Sequence, residues 1–148
     1  MIVKKDDSME LAFDNTLNLL SAKWSDDLSV ESLEFFQTVV SLFDTVQKKQ
    51  VPNLLIDSGI PAGGVLSEEL IDYFIHNIPN TPLKKIALLE SPDYLWDNNL
   101  YQVILLLVTT YQLPIEVKLL KSPGAVREWL RKPRMTKSFR ARRAKFIW

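Results

Sequence analysis

Six residues of one segment that contains Gly and Pro form a candidate loop for binding a partner or for phosphorylation. They are Asp57, Ser58, Gly59, Gly63, Gly64 and Ser67. A phosphate at the start of a helix meets free backbone N–H groups and the positive end of the helix dipole, and glycines let a phosphate or nucleotide approach the backbone. Ser58 and Ser67 are therefore candidate phosphorylation sites, and the segment is a candidate surface for a partner.

The same residue types also have purely structural roles. Asp57, Ser58 and Gly59 favour a turn, and Ser67, which two glutamates follow, is a good helix N-cap. The chain contains neither GxGxxG nor GxxxxGK[ST], the glycine-rich motifs of nucleotide-binding loops. Turn formation and helix capping are the simpler explanation of these residues, and phosphate binding is the alternative.

The residues that could perform catalysis are few and scattered. Asp57 and Glu90 each end a predicted strand and could form a carboxylate pair, while His76, the only histidine, lies late in a predicted helix. The chain has no cysteine, which excludes disulfides, thiolate metal sites and cysteine nucleophiles. Because no nucleophile or metal-binding cluster accompanies His76 in the sequence, we expect no enzymatic activity, no cofactor and no metal site.

The candidate segment follows a predicted central strand. Leu54, Leu55 and Ile56 are consecutive apolar residues without alternation, which is typical of a parallel strand covered on both faces. Apolar patterns predict further strands at residues 9–13, 16–24, 85–90 and 115–120, and helices at residues 30–50, 67–77, 97–111 and 124–131. This order predicts a single α/β domain with a mixed, mostly parallel sheet, an N-terminal hairpin and covering helices. In such sheets, ligands meet the carboxyl ends of the strands.

Three segments are predicted: a flexible N-terminus at residues 1–8, the folded domain at residues 9–130 and a basic tail at residues 131–148. In the hairpin, residues 14 and 15 form a two-residue turn. In the first helix, Ser29 is the predicted N-cap. The residues predicted to form the centre of its buried stripe are Leu33, Phe36, Val40 and Phe43.

The composition indicates an ordinary globular protein. The chain has 148 residues, of which 47% are apolar and 24% charged, and this is enough for one domain with a real core. The longest purely apolar run is residues 103–108, far short of the roughly 18 residues that indicate a membrane span. The first residues lack the apolar core of a signal peptide. We therefore expect a soluble, cytoplasmic protein.

The predicted helix at residues 97–111 is apolar on nearly every side. Four of its residues could line a pocket for a small apolar or lipid ligand, or form a dimer face: Tyr101, Ile104, Leu105 and Val108. A helix that is apolar all round is more often buried in its own core, which is the alternative. Just before it, Tyr94, Leu95 and Trp96 are residue types that suit a partner surface or cover the core.

The formal net charge is zero, but the charges are unevenly distributed. Residues 1–130 contain 10 Lys/Arg and 18 Asp/Glu, whereas residues 131–148 contain 8 Lys/Arg and no acid. The densest basic cluster comprises Arg140, Arg142, Arg143 and Lys145. Such a tail could contact nucleic acid, an anionic membrane surface or an acidic partner, but a charge run is more commonly solvated or folded back on its own acidic body.

The order of elements and several segments resemble the SpoIIAA-like group of the STAS superfamily, whose domains are also described as STAS/SEC14-type. The segments are LNLLSAKWSDDLSVESLEFF, NLLIDSG, KKIALLE and IEVKLLKSPGAVREWL. In such families the last strand commonly leads into a short helix that ends in Trp-Leu, which Trp129 and Leu130 match. The resemblance covers roughly residues 9–130 and implies regulation or partner binding more than catalysis.

Anti-sigma-factor antagonists of this superfamily carry an Asp-Ser pair at the start of the helix after the central strand, and a partner kinase phosphorylates that serine. The corresponding position here reads VLSE over residues 65–68, so Ser67 matches the serine but the preceding Asp is absent. Asp57 and Ser58 do form an Asp-Ser pair, but they lie one loop earlier. The chain therefore has the serine of this motif, but not the Asp that precedes it in the family.

Two functions follow from these observations. The first is a non-enzymatic regulatory or protein-interaction module, in which a protein partner or a second copy binds residues 57–67 and the helix after them. The alternative is a carrier or sensor of a small apolar or lipid ligand, with the apolar helix as the pocket wall. Contact of the basic tail with nucleic acid or a membrane surface is the least favoured of the predicted interactions.

Overall fold

The computed structural model describes residues 1–132, which form six β-strands and four α-helices. The strands are β1 (Ile2–Lys5), β2 (Met9–Asp14), β3 (Leu19–Trp24), β4 (Asn53–Asp57), β5 (Lys85–Leu89) and β6 (Glu116–Leu120). The helices are α1 (Leu33–Lys49), α2 (Glu68–Asn77), α3 (Tyr94–Thr110) and α4 (Pro123–Arg131), and a 3₁₀ turn (Ile78–Asn80) follows α2. The basic tail residues Arg140, Arg142, Arg143 and Lys145 lie outside the described residues.

The six strands form one mixed sheet in the order β1-β2-β3-β4-β5-β6. The pairs β1–β2 and β2–β3 are antiparallel, and the remaining three pairs are parallel. On β4, Leu55 lies opposite Ser21 of β3 and Ala87 of β5. The predicted α/β class, the N-terminal hairpin and the central parallel strand are therefore confirmed.

The two faces of the sheet are covered differently. Each of the three parallel crossovers connects a strand to its next neighbour on the same side in the sheet. Because such crossovers are right-handed, α1, α2 and α3 lie on one face. On that face, Leu54 is buried in the main core together with residues of these three helices. On the opposite face, Leu55 packs with Val126 and Trp129 of α4 in a smaller core.

Residues 2–5 form the edge strand β1, in contrast to the flexible segment that the sequence predicts. Backbone pairing with β2 holds this strand. The N–H of Phe13 donates to the carbonyl of Met1 at 2.7 Å, and the amino group of Met1 donates to the carbonyl of Phe13 at 2.9 Å. The strand is short and largely exposed, so its sequence has no apolar alternation that would have revealed it.

The turn of the β2–β3 hairpin spans residues 15–18, not the predicted two residues. The Oδ1 of Asp14 accepts a hydrogen bond from the N–H of Thr16 at 2.8 Å, and Asn18 has a φ of 49°. These local contacts extend the turn, so β3 begins at Leu19. Asparagine tolerates the left-handed conformation better than most residues, which suits it to this position.

Helix α1 is capped by Ser32, not by the predicted Ser29, and begins later than predicted. The predicted stripe is also partly wrong, because Leu33 and Val40 are exposed whereas Phe35 is buried. Phe35 packs against two tryptophan rings from other elements, and these contacts set which side of the helix faces the core.

Helix α3 begins at Tyr94, earlier than predicted, because Asp93 is its N-cap. The Oδ1 of Asp93 accepts a hydrogen bond from the N–H of Trp96 at 3.0 Å. Asp97, the first residue of the predicted helix, is instead buried in the first turn of α3 and accepts hydrogen bonds from Ser91. Among residues 1–132, no helix is long and apolar enough to cross a lipid bilayer.

Candidate functional site

The predicted segment lies at the carboxyl edge of the sheet. We use this name for the C-terminal ends of β3, β4 and β5, the connections that follow them (residues 25–32, 58–67 and 90–93) and the first turns of α1, α2 and α3. All six residues of the predicted phosphate or partner site lie here, between the last residue of β4 and the N-cap of α2. The structure therefore brings them to one edge, where they have different roles.

Ser58 is a buried structural residue. It is only 6% exposed, and its Oγ accepts a hydrogen bond from the indole N–H of Trp96 at 3.0 Å. The Trp96 ring in turn packs edge-to-face against Phe35, with 5.9 Å between ring centroids. Because a phosphoryl group on Ser58 would displace this packed indole, the geometry disfavours Ser58 as a phosphorylation site.

Asp57 and Gly59 form the turn that leaves β4. The Oδ1 of Asp57 accepts a hydrogen bond from the N–H of Gly59 at 2.9 Å. Gly59 has a φ of +64°, and a Cβ at this position would lie 2.7 Å from the carbonyl oxygen of Trp24 and 2.9 Å from the Oδ1 of Asp26. Only glycine fits this close approach of two backbone segments.

Hydrogen bonds fix both ends of the connection after β4. Near its start, Ile60 donates its N–H to the Oδ1 of Asp26 at 3.0 Å, and its carbonyl accepts from the N–H of Asp27 at 2.7 Å. Near its end, the N–H of Leu66 donates to the Oδ1 of Asn99 at 2.9 Å. The connection is therefore held by the β3–α1 connection and by α3.

Gly63 and Gly64 lie in the middle of this connection, with φ values of +97° and +101°. A Cβ on Gly64 would lie 2.9 Å from the Cγ1 of Val30, whereas a Cβ on Gly63 would lie 3.8 Å from the Oδ2 of Asp93. The backbone conformation alone favours glycine at both positions. These glycines are explained by the shape of the loop, as the simpler interpretation of the sequence predicts.

Ser67 caps α2 as predicted, since its Oγ accepts a hydrogen bond from the N–H of Leu70 at 3.2 Å. It also lines a groove of ≈ 320 Å³ between the first turns of α1 and α2, which Leu33 and Phe36 line from the other side. Ser67 is half-buried, in contrast to the buried Ser58. It is therefore the more accessible of the two candidate phosphoserines, and its phosphorylation stays a prediction.

Large apolar side chains are exposed along this edge. Those at the carboxyl edge are Leu33, Ile60, Val65, Tyr94 and Leu95, half of the ten large hydrophobic residues that are exposed among residues 1–132. The sequence indicates Tyr94 and Leu95 but misplaces Leu33 in the core and misses the other two. Apolar residues inside a Gly- and Pro-containing connection were the signal that could have revealed them.

The carboxyl edge is also strongly acidic. Residues 25–34, 57–69 and 90–97 contain four, three and three acidic residues, respectively, and no Lys, Arg or His. Seven of these ten acids are exposed, whereas Asp97 is buried. An edge that combines exposed apolar side chains with an excess of negative charge can bind a partner that is basic and also offers apolar groups.

Asp6, in the β1–β2 turn at the same edge, adds to this charge. Hydrogen bonds from the backbone N–H groups of Ser8 (2.8 Å) and Met9 (2.9 Å) hold the pKa of this carboxyl below its usual value. The side chain of Lys4, 4.0 Å away, acts in the same direction. The Asp6 carboxylate therefore stays ionised to lower pH than an ordinary aspartate.

The three candidate catalytic residues are not brought together. Asp57 and Glu90 lie at the carboxyl edge, but His76 lies near the far end of α2, about 13 Å along the helix from Ser67 at the usual rise per residue. The Nδ1 of His76 is 2.8 Å from the carbonyl oxygen of Asp72 in the preceding turn. Within residues 1–132, no group of three or more His, Asp or Glu side chains could hold a metal ion.

The four residues predicted as an apolar pocket or dimer face have mixed positions. Ile104 and Val108 are buried in the main core, while Tyr101 and Leu105 are half-buried. The exposed apolar residue of this run is Leu106, which the prediction does not include. The apolar run of α3 therefore packs largely into the core of its own chain.

Comparisons of the chain with protein-family models, with curated proteins and with solved structures found no match.

Proposed function

We propose that this chain is a non-enzymatic regulatory or protein-interaction module whose partner binds the carboxyl edge. The observation that carries this proposal is the exposure of five large apolar side chains on the three neighbouring connections and helix starts of that edge. Exposed apolar groups cost free energy in water, and their concentration in one region is typical of interaction surfaces. The groove between α1 and α2 supplies a concave site for an anchoring side chain.

The fixed shape of the connection after β4 also supports this proposal. Its ends are hydrogen-bonded to Asp26 and Asn99, and Ser58 beneath it is bonded to Trp96. A surface that is already ordered loses less conformational entropy when a partner binds. The exposed residues Ile60 and Val65 are therefore presented on a supported loop.

The charge of the edge defines the chemistry of the partner. The ten acids of the three segments outnumber the bases at the adjoining strand ends, Lys4, Lys5 and Lys23, so the edge attracts a basic surface and speeds its diffusional encounter, whereas apolar side chains supply most of the binding energy. We therefore expect a protein segment with Lys or Arg around one or more large apolar residues.

The SpoIIAA-like assignment within the STAS superfamily is part of this proposal. The hairpin, the parallel crossovers and the closing helix that contains Trp129 and Leu130 occur in the order on which the resemblance is based. Ser67 at the N-cap of α2 is the residue that matches the phosphorylated serine of that group. Both features support a regulatory role for this edge.

The carrier function has less support. Its pocket wall would be the apolar run of α3, but Ile104 is 1% exposed and lies with Val108 in the main core. The burial of both side chains among residues of the main core supports the interaction module over the carrier of an apolar ligand.

The test compares capture of partners by the full-length protein and by single variants. Leu95→Ser and Val65→Ser remove apolar groups that are 75% and 59% exposed, so neither change disturbs the core. Each protein is used as bait in a lysate of the cells that make it, and captured proteins are quantified by mass spectrometry. We expect about tenfold weaker capture of the true partner by both variants, as for loss of an anchoring residue worth about 1.4 kcal/mol.

Leu106→Ser provides the matched control. Leu106 is 68% exposed on α3, so the substitution removes a similar exposed apolar group away from the carboxyl edge. A true partner is retained by this control and lost by the two edge variants. If every protein captured by the wild type is captured equally by all three variants, the carboxyl edge is not the partner surface.

A further inference from the structure

The carboxyl edge is complementary to one segment of its own chain. Residues 133–148 contain six Lys or Arg residues and no acid, and they also contain Phe139, Phe146 and Trp148. This is the combination of basic and large apolar groups that the edge requires. We propose that residues 133–148, the part of the predicted basic tail that follows the described residues and is called the tail from here on, bind the carboxyl edge of their own chain and compete there with the protein partner. This inference rests on the proposed function of that edge.

Charge complementarity is the first argument. Residues 1–130 carry 10 basic and 18 acidic residues, and ten of those acids lie in the three segments of the carboxyl edge. The opposite edge has no such excess of acid, because its connections (residues 15–18, 50–52, 78–84 and 111–115) contain no acid and the two acids at the adjoining strand ends, Asp14 and Glu116, are matched in number by Lys84 and Lys85. The tail is therefore attracted to one edge of the sheet.

The apolar groups make the second argument. Leu33, Val65 and Leu95 are exposed at the edge, and the groove between α1 and α2 is large enough to receive an aromatic side chain. Large aromatic side chains contribute most of the energy of many interfaces. Phe139 lies near the middle of the tail with basic residues on both sides, and Phe146 and Trp148 lie near its end.

The length of the tail permits this contact. The tail starts after Lys132, whose carbonyl accepts a hydrogen bond from the Nζ of Lys85 at 3.4 Å. Lys85 is the first residue of β5, so the tail begins near the amino end of that strand. A strand of five residues spans about 17 Å, whereas the seven residues after Lys132, up to Phe139, span up to about 23 Å when extended and all 16 residues up to about 50 Å. The tail can therefore cross the sheet and reach its far edge.

The absence of cysteine from the chain permits a direct test on the full-length protein. Ser138→Cys introduces a single thiol beside Phe139, to which a nitroxide spin label is attached. The label weakens the NMR signals of amide protons near it, and this effect falls steeply with distance. We expect loss of amide intensity at Ile60, Val65 and Leu95 of the carboxyl edge.

A tail that is merely solvated gives a different pattern. It would weaken the amide signals nearest its attachment point, such as those of Lys84, Lys85 and Asn53. Intensity loss confined to that region, or spread evenly over the surface, overturns the proposal. Because the measurement contains no partner protein, its failure leaves the capture experiment on the edge variants unaffected, and the two proposals fail separately.

Two further samples define the contact. Serine replacement of Phe139, Phe146 and Trp148 in the labelled protein keeps the charge and removes the apolar anchors, so we expect the intensity at the edge to recover. Salt of 1 M, at which the Debye length is about 3 Å, should weaken the contact as well. Edge signals that stay weak under both conditions contradict an electrostatic and apolar contact.

The third sample distinguishes the chain's own tail from that of a second copy. Isotope-labelled protein without the nitroxide is mixed with unlabelled protein that carries it. Loss of edge signals in this mixture comes only from the tail of another copy. If the edge signals lose as much intensity in the mixture as in the protein that carries both the isotope and the nitroxide, binding within one chain is overturned. If the edge signals of the mixture keep their intensity, binding within one chain is supported.

Discussion

The connections at the two edges of the sheet differ in their charge and in the exposure of their apolar side chains. At the carboxyl edge, three neighbouring segments contain ten acids, and five large apolar side chains are exposed. The amino edge is formed by the β2–β3 turn and by the connections that follow α1, α2 and α3. These four connections are residues 15–18, 50–52, 78–84 and 111–115, and they contain one base and no acid.

The amino edge ends two of its helices with the same hydrogen-bonded motif. At the end of α1, the N–H of Gln50 donates to the carbonyl of Gln47, and the N–H of Val51 donates to the carbonyl of Val46. At the end of α3, Gln112 and the residue after it make the corresponding two bonds. Both glutamines have a φ of 52°, as expected for this helix ending.

The two edges also differ in the burial of their apolar residues. After α1, Val51 is fully buried, so the amino edge uses its apolar residue to close the core. At the carboxyl edge, Val65 lies in a comparable connection but is exposed, while its neighbour Leu66 fills the core. The connections of the amino edge expose one large apolar residue, Tyr111, whereas the carboxyl edge exposes five, so the exposed apolar groups are concentrated at the carboxyl edge.

The largest effect of an edge mutation is expected for Gly59→Ala. The new Cβ would lie 2.7 Å from the carbonyl oxygen of Trp24, which is backbone and cannot rotate away, at a φ that disfavours alanine. We expect the free energy of unfolding to fall by about 1–3 kcal/mol, the usual cost of backbone strain of this kind. Chemical denaturation followed by tryptophan fluorescence measures it.

Gly124→Ala is the matched control for this change. Gly124 lies in the first turn of α4, and a Cβ at this position would lie 3.8 Å from its nearest neighbour, the Oγ of Ser122. The same substitution should be neutral or stabilising there, because alanine favours helix more than glycine does. If Gly59→Ala lowers the free energy of unfolding no more than Gly124→Ala does, the connections after β3 and β4 do not approach each other as closely as described.

A smaller effect is expected for Ser67→Ala. This change removes the Oγ that accepts a hydrogen bond from the N–H of Leu70, so we expect a loss of about 1 kcal/mol in thermal or chemical unfolding. Ser122→Ala removes the matching cap of α4 and should cost a similar amount. Because Ser67 also borders the groove, we expect only Ser67→Ala to weaken partner capture. If Ser67→Ala and Ser122→Ala weaken capture equally, the loss comes from lower stability of the protein and not from the groove.

Local contacts were predictable from the sequence. Ser67 and Ser122 each accept a hydrogen bond from a residue three positions later, so the capping pattern is visible within a few letters. The apolar run of β4 likewise identifies a central strand, because burial on both faces requires apolar residues at consecutive positions. These features account for the order of elements and for the location of the candidate edge.

Contacts between distant residues were not predictable in this way. Ser58 has the composition of a turn residue, and its burial depends on Trp96, which is 38 positions away. The phase of α1 depends on the packing of Phe35 against rings from two other elements, so Leu33 and Val40 matched the helical period and still lie outside. Periodicity defines a stripe on a helix, but only the neighbours of the helix define which stripe is buried.

The smallest expected effect is a gain in stability at the amino edge from Gln112→Gly. Gln112 has a φ of 52°, and its N–H donates to the carbonyl of Thr109 while the N–H of Leu113 donates to the carbonyl of Val108. Glycine is favoured at this position of the motif, and the strain it relieves exceeds its entropic cost, so we expect about 0.5–1 kcal/mol of added stability.

Gln102→Gly, in the interior of α3, should instead cost about 1 kcal/mol. If both glycines destabilise the protein equally, α3 does not end in this motif. A gain at Gln112 without any change in partner capture would show that the amino edge can be stabilised without affecting recognition. Because a partner bound at the carboxyl edge does not touch this helix end, the two edges should respond independently, as expected for mutations that share no contacts.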